Sequence, residues 1–239
     1  MRTILLPISI GLLCISFTIL PTPPAGSPAA VTAVSINNEK VPTTEASLIY
    51  DQTGLEQFGL SKAAFDFAWA GYQYLLEHNQ LKKQHILSIC DFSQSSKKKR
   101  LYIIDLDKKE LLINTWVAHG KNSGDEYARQ FSNTPESLQS SLGFYVTSGT
   151  YIGKHGLSLR LNGADPGFND QAYFRTIVIH GASYVDEARL KSGMYMGRSW
   201  GCPAVSEKES ARIIQTIKNG TCLFIYHPSR NYLEKSKIL

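Results

Sequence analysis

Apolar residues follow three different patterns along the chain. Residues 4–20 form an apolar run, which Pro21 ends because proline lacks an amide donor. Between residues 61 and 76 the apolar positions recur at steps of three, four and seven, which predicts an amphipathic helix capped by Ser61. After residue 84, short apolar runs alternate with polar turns, as is typical of β-strands. The patterns together predict a mainly β fold with a helical addition before it.

Seven short strands are predicted in this C-terminal part. They are His85–Phe92, Leu101–Leu106, Leu111–Val117, Phe144–Thr150, Leu157–Leu161, Thr176–His180 and Cys222–Tyr226. One internal helix is expected between the last two strands, because Ser206 and Glu209 match a capping box and Asn219-Gly220 can end a helix. Residues 120–143 are rich in Gly, Ser, Asn and Gln, and so long a loop in a compact domain is usually functional. We expect it to form a wall or a lid of a binding groove.

The N-terminal run indicates export. A short cationic start, an apolar stretch and small residues at Val31 and Ala33 match a secretory signal peptide over residues 1–33. An uncleaved membrane anchor is the alternative, although 17 residues with an internal Pro7 are short for about 30 Å of hydrocarbon. The predicted location is therefore the periplasm or cell envelope. We interpret residues 34–55 as a linker, 56–83 as an N-terminal helical segment and 84–239 as the main domain.

Composition narrows the possible classes of protein. Apolar residues make up 43% of the 239 residues and charged residues 19%, which excludes global disorder. A net charge of +5 without a dense basic face argues against nucleic-acid binding. The basic cluster at residues 97–100 is interpreted as a solvated loop.

Two residues are candidates for nucleophilic chemistry. Cys202 lies in a turn of small residues that could expose its sulfur and nearby backbone amides together. The thiolate is the reactive form of cysteine and requires a base or an electropositive setting. His180, at the end of an apolar strand and followed by Gly181, is a candidate base. The residues alone also permit a Cys202 in a disulfide and a structural His180.

The other cysteines and histidines show no comparable arrangement. Cys90 and Cys222 lie in apolar strands and are predicted to be buried thiols or one mutual disulfide. The histidines are scattered without metal-ligand spacing, so no metal site is predicted.

Two motifs resemble the signature of the L,D-transpeptidase family (YkuD-like). The motifs are Ile179-His180-Gly181 and Ser199-Trp200-Gly201-Cys202. The order His before Cys argues against papain-like enzymes, in which Cys comes first. The run GRSWGCPAVS is similar to the branch described as murein L,D-transpeptidase catalytic domain, and further matches bring the resemblance to roughly residues 84–227. These matches are GKNSG at 120–124, FSN at 131–133, SSLGFY at 140–145 and KHGLSLRLNG at 154–163.

The chain departs from the wider family at two positions next to the second motif. Trp200 stands where the family commonly has His, and Ala204 stands where it has a polar residue. We attribute both to the branch, and both bear on donor recognition.

The resemblance implies a fold, a reaction and site residues. The fold would be an L,D-transpeptidase-like β-sandwich or open barrel. Cys202 would attack a peptidoglycan stem peptide and release terminal D-Ala, with His180 as the base, the Gly181 carbonyl holding its ring, and amides near Gly201 and Cys202 stabilising the oxyanion. The residues expected to contact the stem peptide are Arg198, Ser199, His155 and Arg160. No metal or organic cofactor is implied.

Three functions agree with these motifs. The first is transpeptidation that cross-links the wall or attaches a protein to it. The second is L,D-carboxypeptidase activity at the same site, with water as the acceptor. The third is a catalytically silent peptidoglycan-binding module with an oxidised Cys202. The N-terminal segment could also anchor the chain transiently to a membrane, and the sequence predicts no oligomeric state.

Overall fold

The structure is a computed structural model that describes residues 44–239. The predicted signal peptide and the first part of the predicted linker lie outside these residues. Within residues 44–239, no helix combines the length and the apolar character that crossing a membrane requires.

The second part of the predicted linker is a helix, α1 (Glu45–Thr53), so the linker prediction is wrong from residue 45 onwards. Thr44 caps this helix by accepting a hydrogen bond from the Ser47 amide, and Gly54 ends it with a left-handed φ of 67°. Its buried stripe includes a threonine, which a hydropathy pattern does not mark as core. The buried residues are Ala46, Ile49, Tyr50 and Thr53.

The predicted amphipathic helix is α2 (Lys62–Glu77), and the Ser61 hydroxyl caps it by accepting from the Ala64 amide at 3.2 Å. Gly71 lets this helix approach the sheet, because a Cβ at that position would lie 2.0 Å from the Phe144 ring. Phe144 in turn stacks on Phe224, with ring centroids 4.1 Å apart. Residues 56–83 therefore share one hydrophobic core with the sheet.

The sheet has eight strands in one nearly closed, barrel-like layer, which confirms the predicted mainly β fold. Its strand order is β3-β2-β1-β8-β4-β5-β6-β7, and β1–β8 and β6–β7 are the parallel pairs. The two-residue β7 is the strand that the sequence pattern missed. The strands are β1 (Ile86–Asp91), β2 (Leu101–Asp105), β3 (Glu110–Thr115), β4 (Gly143–Gly153), β5 (Gly156–Gly163), β6 (Val178–Gly181), β7 (Ala204–Val205) and β8 (Cys222–Tyr226).

Three further helices follow β6: α3 (Glu187–Lys191), α4 (Glu207–Ile217) and α5 (Arg230–Lys235). The predicted internal helix is α4, but the capping box is not formed. The Ser206 side chain makes no capping bond, and the Glu209 carboxylate accepts a hydrogen bond from Thr115 instead. α4 packs against β6, the strand that carries His180.

The two cysteines of the sheet are free thiols, so the disulfide alternative does not occur. Cys90 lies in β1 and Cys222 in β8, which are neighbouring parallel strands. In the register of these strands Cys222 pairs with Leu87 and Cys90 pairs with Ile225, which separates the two sulfurs along the strands. Both side chains are completely buried.

Candidate active site

Cys202 and His180 line the same open cavity, which has a volume of about 720 Å³. The β4–β5 hairpin forms one part of its lining and the segment before β6 forms another. The long loop of residues 120–143 contributes Lys121, Glu136 and Leu138, so this loop is a wall of the cavity, as predicted. Trp200, with 77% of its surface exposed, lies at the same cavity.

Cys202 follows the turn of residues 199–201 and is partly exposed. Its Sγ lies 3.8 Å from the carbonyl oxygen of Thr176. Burial raises the pKa of the Cys202 thiol, while a backbone hydrogen bond from Val178 and the positive charge of Arg175 act in the opposite direction. The resting group is therefore a thiol, and its activation requires a base.

His180 is the penultimate residue of β6 and is 3% exposed. Its Nδ1 lies 2.8 Å from the Gly181 carbonyl oxygen, which is the hydrogen bond expected from the sequence. Because this bond requires a proton on Nδ1, Nε2 carries the lone pair. Burial lowers the pKa of His180, and His155 lowers it further, whereas the bond to Gly181 raises it. His180 is thus a neutral imidazole that can accept a proton.

Ser199 holds the turn instead of facing the cavity, contrary to its predicted role in substrate contact. It is 3% exposed, and its Oγ donates to the Cys202 carbonyl oxygen at 2.6 Å and accepts from the Gly201 amide at 3.0 Å. The Gly201 amide, one of the two expected oxyanion donors, is therefore already hydrogen-bonded within the turn. Among the described residues, the Cys202 amide has no hydrogen-bond acceptor and is the donor that remains of the two expected.

Gly201 is required for the shape of this turn. Its φ of 126° disfavours any residue with a side chain, and a Cβ there would lie 2.8 Å from the Gln139 carbonyl oxygen. Its own carbonyl oxygen accepts from the Ser140 hydroxyl at 3.1 Å, which ties the turn to the long loop. Gly201 thus matters for the backbone conformation of the turn.

A buried pair beneath the turn was not found from the sequence. Arg100 is fully buried, so the interpretation of residues 97–100 as a solvated loop holds for the three lysines only. Arg100 donates to the Val117 carbonyl oxygen and to Nδ1 of the buried His119, the latter at 2.7 Å. Burial and the Arg100 charge lower the pKa of His119 to about 4. The His119 carbonyl oxygen accepts from the Ser199 amide at 3.0 Å, which links the pair to the turn that precedes Cys202.

Arg175 is a second residue that the sequence analysis missed. Its guanidinium donates to the carbonyl oxygens of Ser132 and Gln139, each at 2.6 Å. It also donates to the hydroxyl groups of Ser137 and Ser141. Arg175 therefore fastens residues 132–141 to the rim of the cavity. Its position just before the His180 strand was the only signal in the sequence.

Of the three remaining residues predicted to contact substrate, one lines the cavity and two do not. His155 lines the cavity and stacks on His180. Arg160 does not line it, but its guanidinium lies 4.3 Å from the ring centroid of Tyr151, which does. Arg198 lines a neighbouring groove, where it forms an ion pair with Asp125. Among residues 44–239, no three His, Cys, Asp or Glu side chains cluster as metal ligands do.

The family model described as L,D-transpeptidase catalytic domain matches residues 56–226. The chain belongs to this family. No curated protein matches this L,D-transpeptidase chain.

Solved structures that resemble this L,D-transpeptidase are distant. An L,D-transpeptidase from Mycobacterium smegmatis is 12% identical with a TM-score of 0.37, and the match covers 60% of this chain and 59% of that one. The helical cell shape determining protein Pgp2 from Campylobacter jejuni is 13% identical with a TM-score of 0.41, over 67% of this chain and 57% of that one. An L,D-transpeptidase from Stackebrandtia nassauensis is 12% identical with a TM-score of 0.35, over 75% of both chains. The chain thus spans less than two thirds of the length of the first two.

Proposed function

We propose that this L,D-transpeptidase transfers acyl groups between peptidoglycan stem peptides in the cell envelope, with Cys202 as the nucleophile and His180 as its base. The observation that carries the proposal is the hydrogen bond from His180 Nδ1 to the Gly181 carbonyl oxygen, at the cavity that both side chains line. This bond leaves Nε2 free to receive the thiol proton.

In the first half-reaction, Cys202 Sγ attacks the carbonyl carbon of the donor peptide bond while its proton passes to His180 Nε2. Collapse of the tetrahedral intermediate breaks the bond to terminal D-Ala, and the leaving amine takes the proton from Nε2. In the second, His180 removes a proton from the acceptor amine, which attacks the thioester carbon; the C–S bond then breaks, and the Cys202 sulfur takes the proton back from Nε2. The Gly181 carbonyl takes the place that a carboxylate occupies in a Ser-His-Asp triad.

The Cys202 amide is the oxyanion donor supported by the turn geometry. The Ser199 hydroxyl occupies the Gly201 amide, whereas the Cys202 amide is unengaged among the described residues. Loss of an oxyanion donor typically costs about 100–1,000-fold in rate. A backbone donor of this kind depends on the turn, and hence on Ser199 and Gly201.

The charge of the cavity lining favours an anionic peptide. Lys121, Lys154 and Arg175 line it against one carboxylate, Glu136. Neither lysine forms an ion pair with a described residue, so both are available to substrate carboxylates. Stem peptides carry such carboxylates.

The test is incubation of the purified chain with a tetrapeptide muropeptide, followed by mass analysis. We expect cross-linked dimers and released D-Ala, and neither product from Cys202→Ala. His180→Ala should slow formation of the acyl-enzyme by several orders of magnitude, whereas His78→Ala, a change of an exposed histidine at the end of α2, should leave it unchanged. Tripeptide without dimers would assign the carboxypeptidase reaction instead. Binding of muropeptide without any product would contradict both reactions.

A further inference from the structure

The imidazole of His155 lies face to face with that of His180. The ring centroids are 4.4 Å apart and the ring planes differ by 23°. His155 belongs to the two-residue turn between β4 and β5, and Ser158 of β5 pairs with His180 of β6 in the sheet register. The strand pairing therefore places the hairpin turn over the His180 ring.

We infer that His155 is a positioning residue for the proposed base: its ring fixes the orientation of the His180 imidazole, and its charge controls how readily His180 accepts a proton. The inference rests on the proposed function for its role in the reaction. The arrangement itself concerns only the two imidazoles and is measurable without substrate.

The orientation argument follows from how few restraints His180 has. The Nδ1 bond to the Gly181 carbonyl oxygen fixes one edge of the ring. A single hydrogen bond permits the ring to tilt about it, and such a tilt would move Nε2. A stacked partner on one face opposes this tilt, and so holds Nε2 in one position.

The charge argument follows from the separation of the rings. Two imidazolium ions at this distance repel, so a proton on His155 disfavours a proton on His180. The lowered pKa of His180 agrees with this direction, although burial is the larger cause. His180 must become an imidazolium during each half-reaction, so protonation of His155 would slow the reaction.

Polar and charged groups from several elements lie around His180 and its neighbour Gly181. α4 packs Ser210 and the backbone of Glu207 against Gly181. The cations of the lining act in the same direction as a protonated His155, but they remain in place in both His155 variants. The groups that line the cavity are Cys202 from the turn, Arg175 before β6, Lys154 beside His155, and Lys121 and Glu136 from the long loop.

The test uses two substitutions in the full-length chain. His155→Phe keeps an aromatic ring on His180 and removes the charge, while His155→Ala removes both. Because His155 is exposed, both variants should fold, which thermal unfolding verifies. The measurements are the titration of His180 by NMR and the pH profile of acylation by a carbapenem, followed by intact mass. His85→Phe, at an exposed histidine outside the cavity, is the matched control.

We expect His180 to titrate at a higher pH in both variants, by roughly half a unit or more, with the acidic limb of acylation moving by the same amount. At high pH, His155→Phe should acylate at nearly the wild-type rate, and His155→Ala should be at least about 10-fold slower because its His180 ring is unrestrained. An unchanged His180 titration in both variants would overturn the inference. A raised KM for the muropeptide with an unchanged acidic limb would also overturn it and would assign His155 to substrate binding. The NMR titration needs no turnover, so it would test the effect of His155 on His180 even if the chain had no transpeptidase activity.

Discussion

Ser199 determines the shape of the turn that carries Cys202. Its one hydroxyl group bonds both to the Gly201 amide and to the Cys202 carbonyl oxygen, so it closes the turn from inside. Its backbone amide is held by His119, which ties the turn to the strand region below it. A buried residue outside the cavity lining thus orients Cys202, the proposed nucleophile, and the amide beside it.

Replacing Ser199 by Ala should therefore reduce acylation of Cys202 by at least about 10-fold. The reason is that the turn loses two internal hydrogen bonds, each typically worth about 0.5–1.5 kcal/mol of stability. Acylation measured by intact mass and unfolding measured in urea would separate the two effects. Ser183→Ala, at an exposed serine after β6, is the control and should change neither. An unaltered acylation rate in Ser199→Ala would show that the turn keeps its shape without this hydroxyl.

Among the elements, the loop that ends at β4, over residues 120–142, contains one short 3-10 helix and is fixed by many hydrogen bonds. Ser140 bonds to the Gly201 carbonyl oxygen and also accepts from the Gly120 amide. Arg175 adds four contacts from outside the loop. This wall of the cavity is consequently held both by Ser140, from within the loop, and by Arg175, from outside it.

Arg175→Lys tests this clamp, since lysine keeps the charge but lacks the planar fork of donors. Amide exchange over residues 132–141 should become faster than in the wild type, because lysine cannot make all four of the hydrogen bonds that Arg175 makes to this segment. Hydrogen exchange followed by mass spectrometry of peptides measures this. Arg129→Lys, at an exposed arginine in the same loop, should leave the exchange unaltered. Equal exchange in the two variants would show that the serines alone hold the loop.

Hydrogen bonds between residues close together in the chain were predictable from the sequence. Those between residues far apart in the chain were not. The Ser61 cap of α2 was predicted because its partner, Ala64, is three residues away. The capping box of α4 failed because Glu209 finds a partner in Thr115, which is 94 residues away in the chain. The His180 bond to Gly181 is local and was expected from the motif, whereas the contacts of Arg175 join segments that only the fold brings together.

At the scale of the whole molecule, the core encloses a cation without a carboxylate partner among the described residues. Arg100 is satisfied by backbone carbonyls and by His119, which must stay neutral to accept from it. A proton on His119 would place two positive charges side by side inside the protein. The folded state therefore resists protonation of His119, and the unfolded chain does not.

Stability should accordingly fall as the pH decreases. The pKa of His119 is about 4 in the folded protein and about 6.5 when exposed. The free energy of unfolding that depends on neutral His119 is thus fully present above about pH 6.5. It is lost between about pH 6.5 and 4, by up to about 3 kcal/mol. Urea unfolding across this range measures it. His119→Gln should show a flatter dependence than His85→Gln, and parallel curves for the two variants would contradict a role for His119.

The burial of Cys90 and Cys222 has a practical consequence for work on this molecule. Both thiols are sealed within the sheet, and Cys202 is the one cysteine of residues 44–239 that a reagent in solvent can reach. In this part of the chain, a fluorophore or spin label would therefore attach beside the cavity, without replacement of either cysteine of the sheet. On denaturation, residues 44–239 present three thiols instead of one, so the number of labels on this part of the chain distinguishes folded from unfolded material.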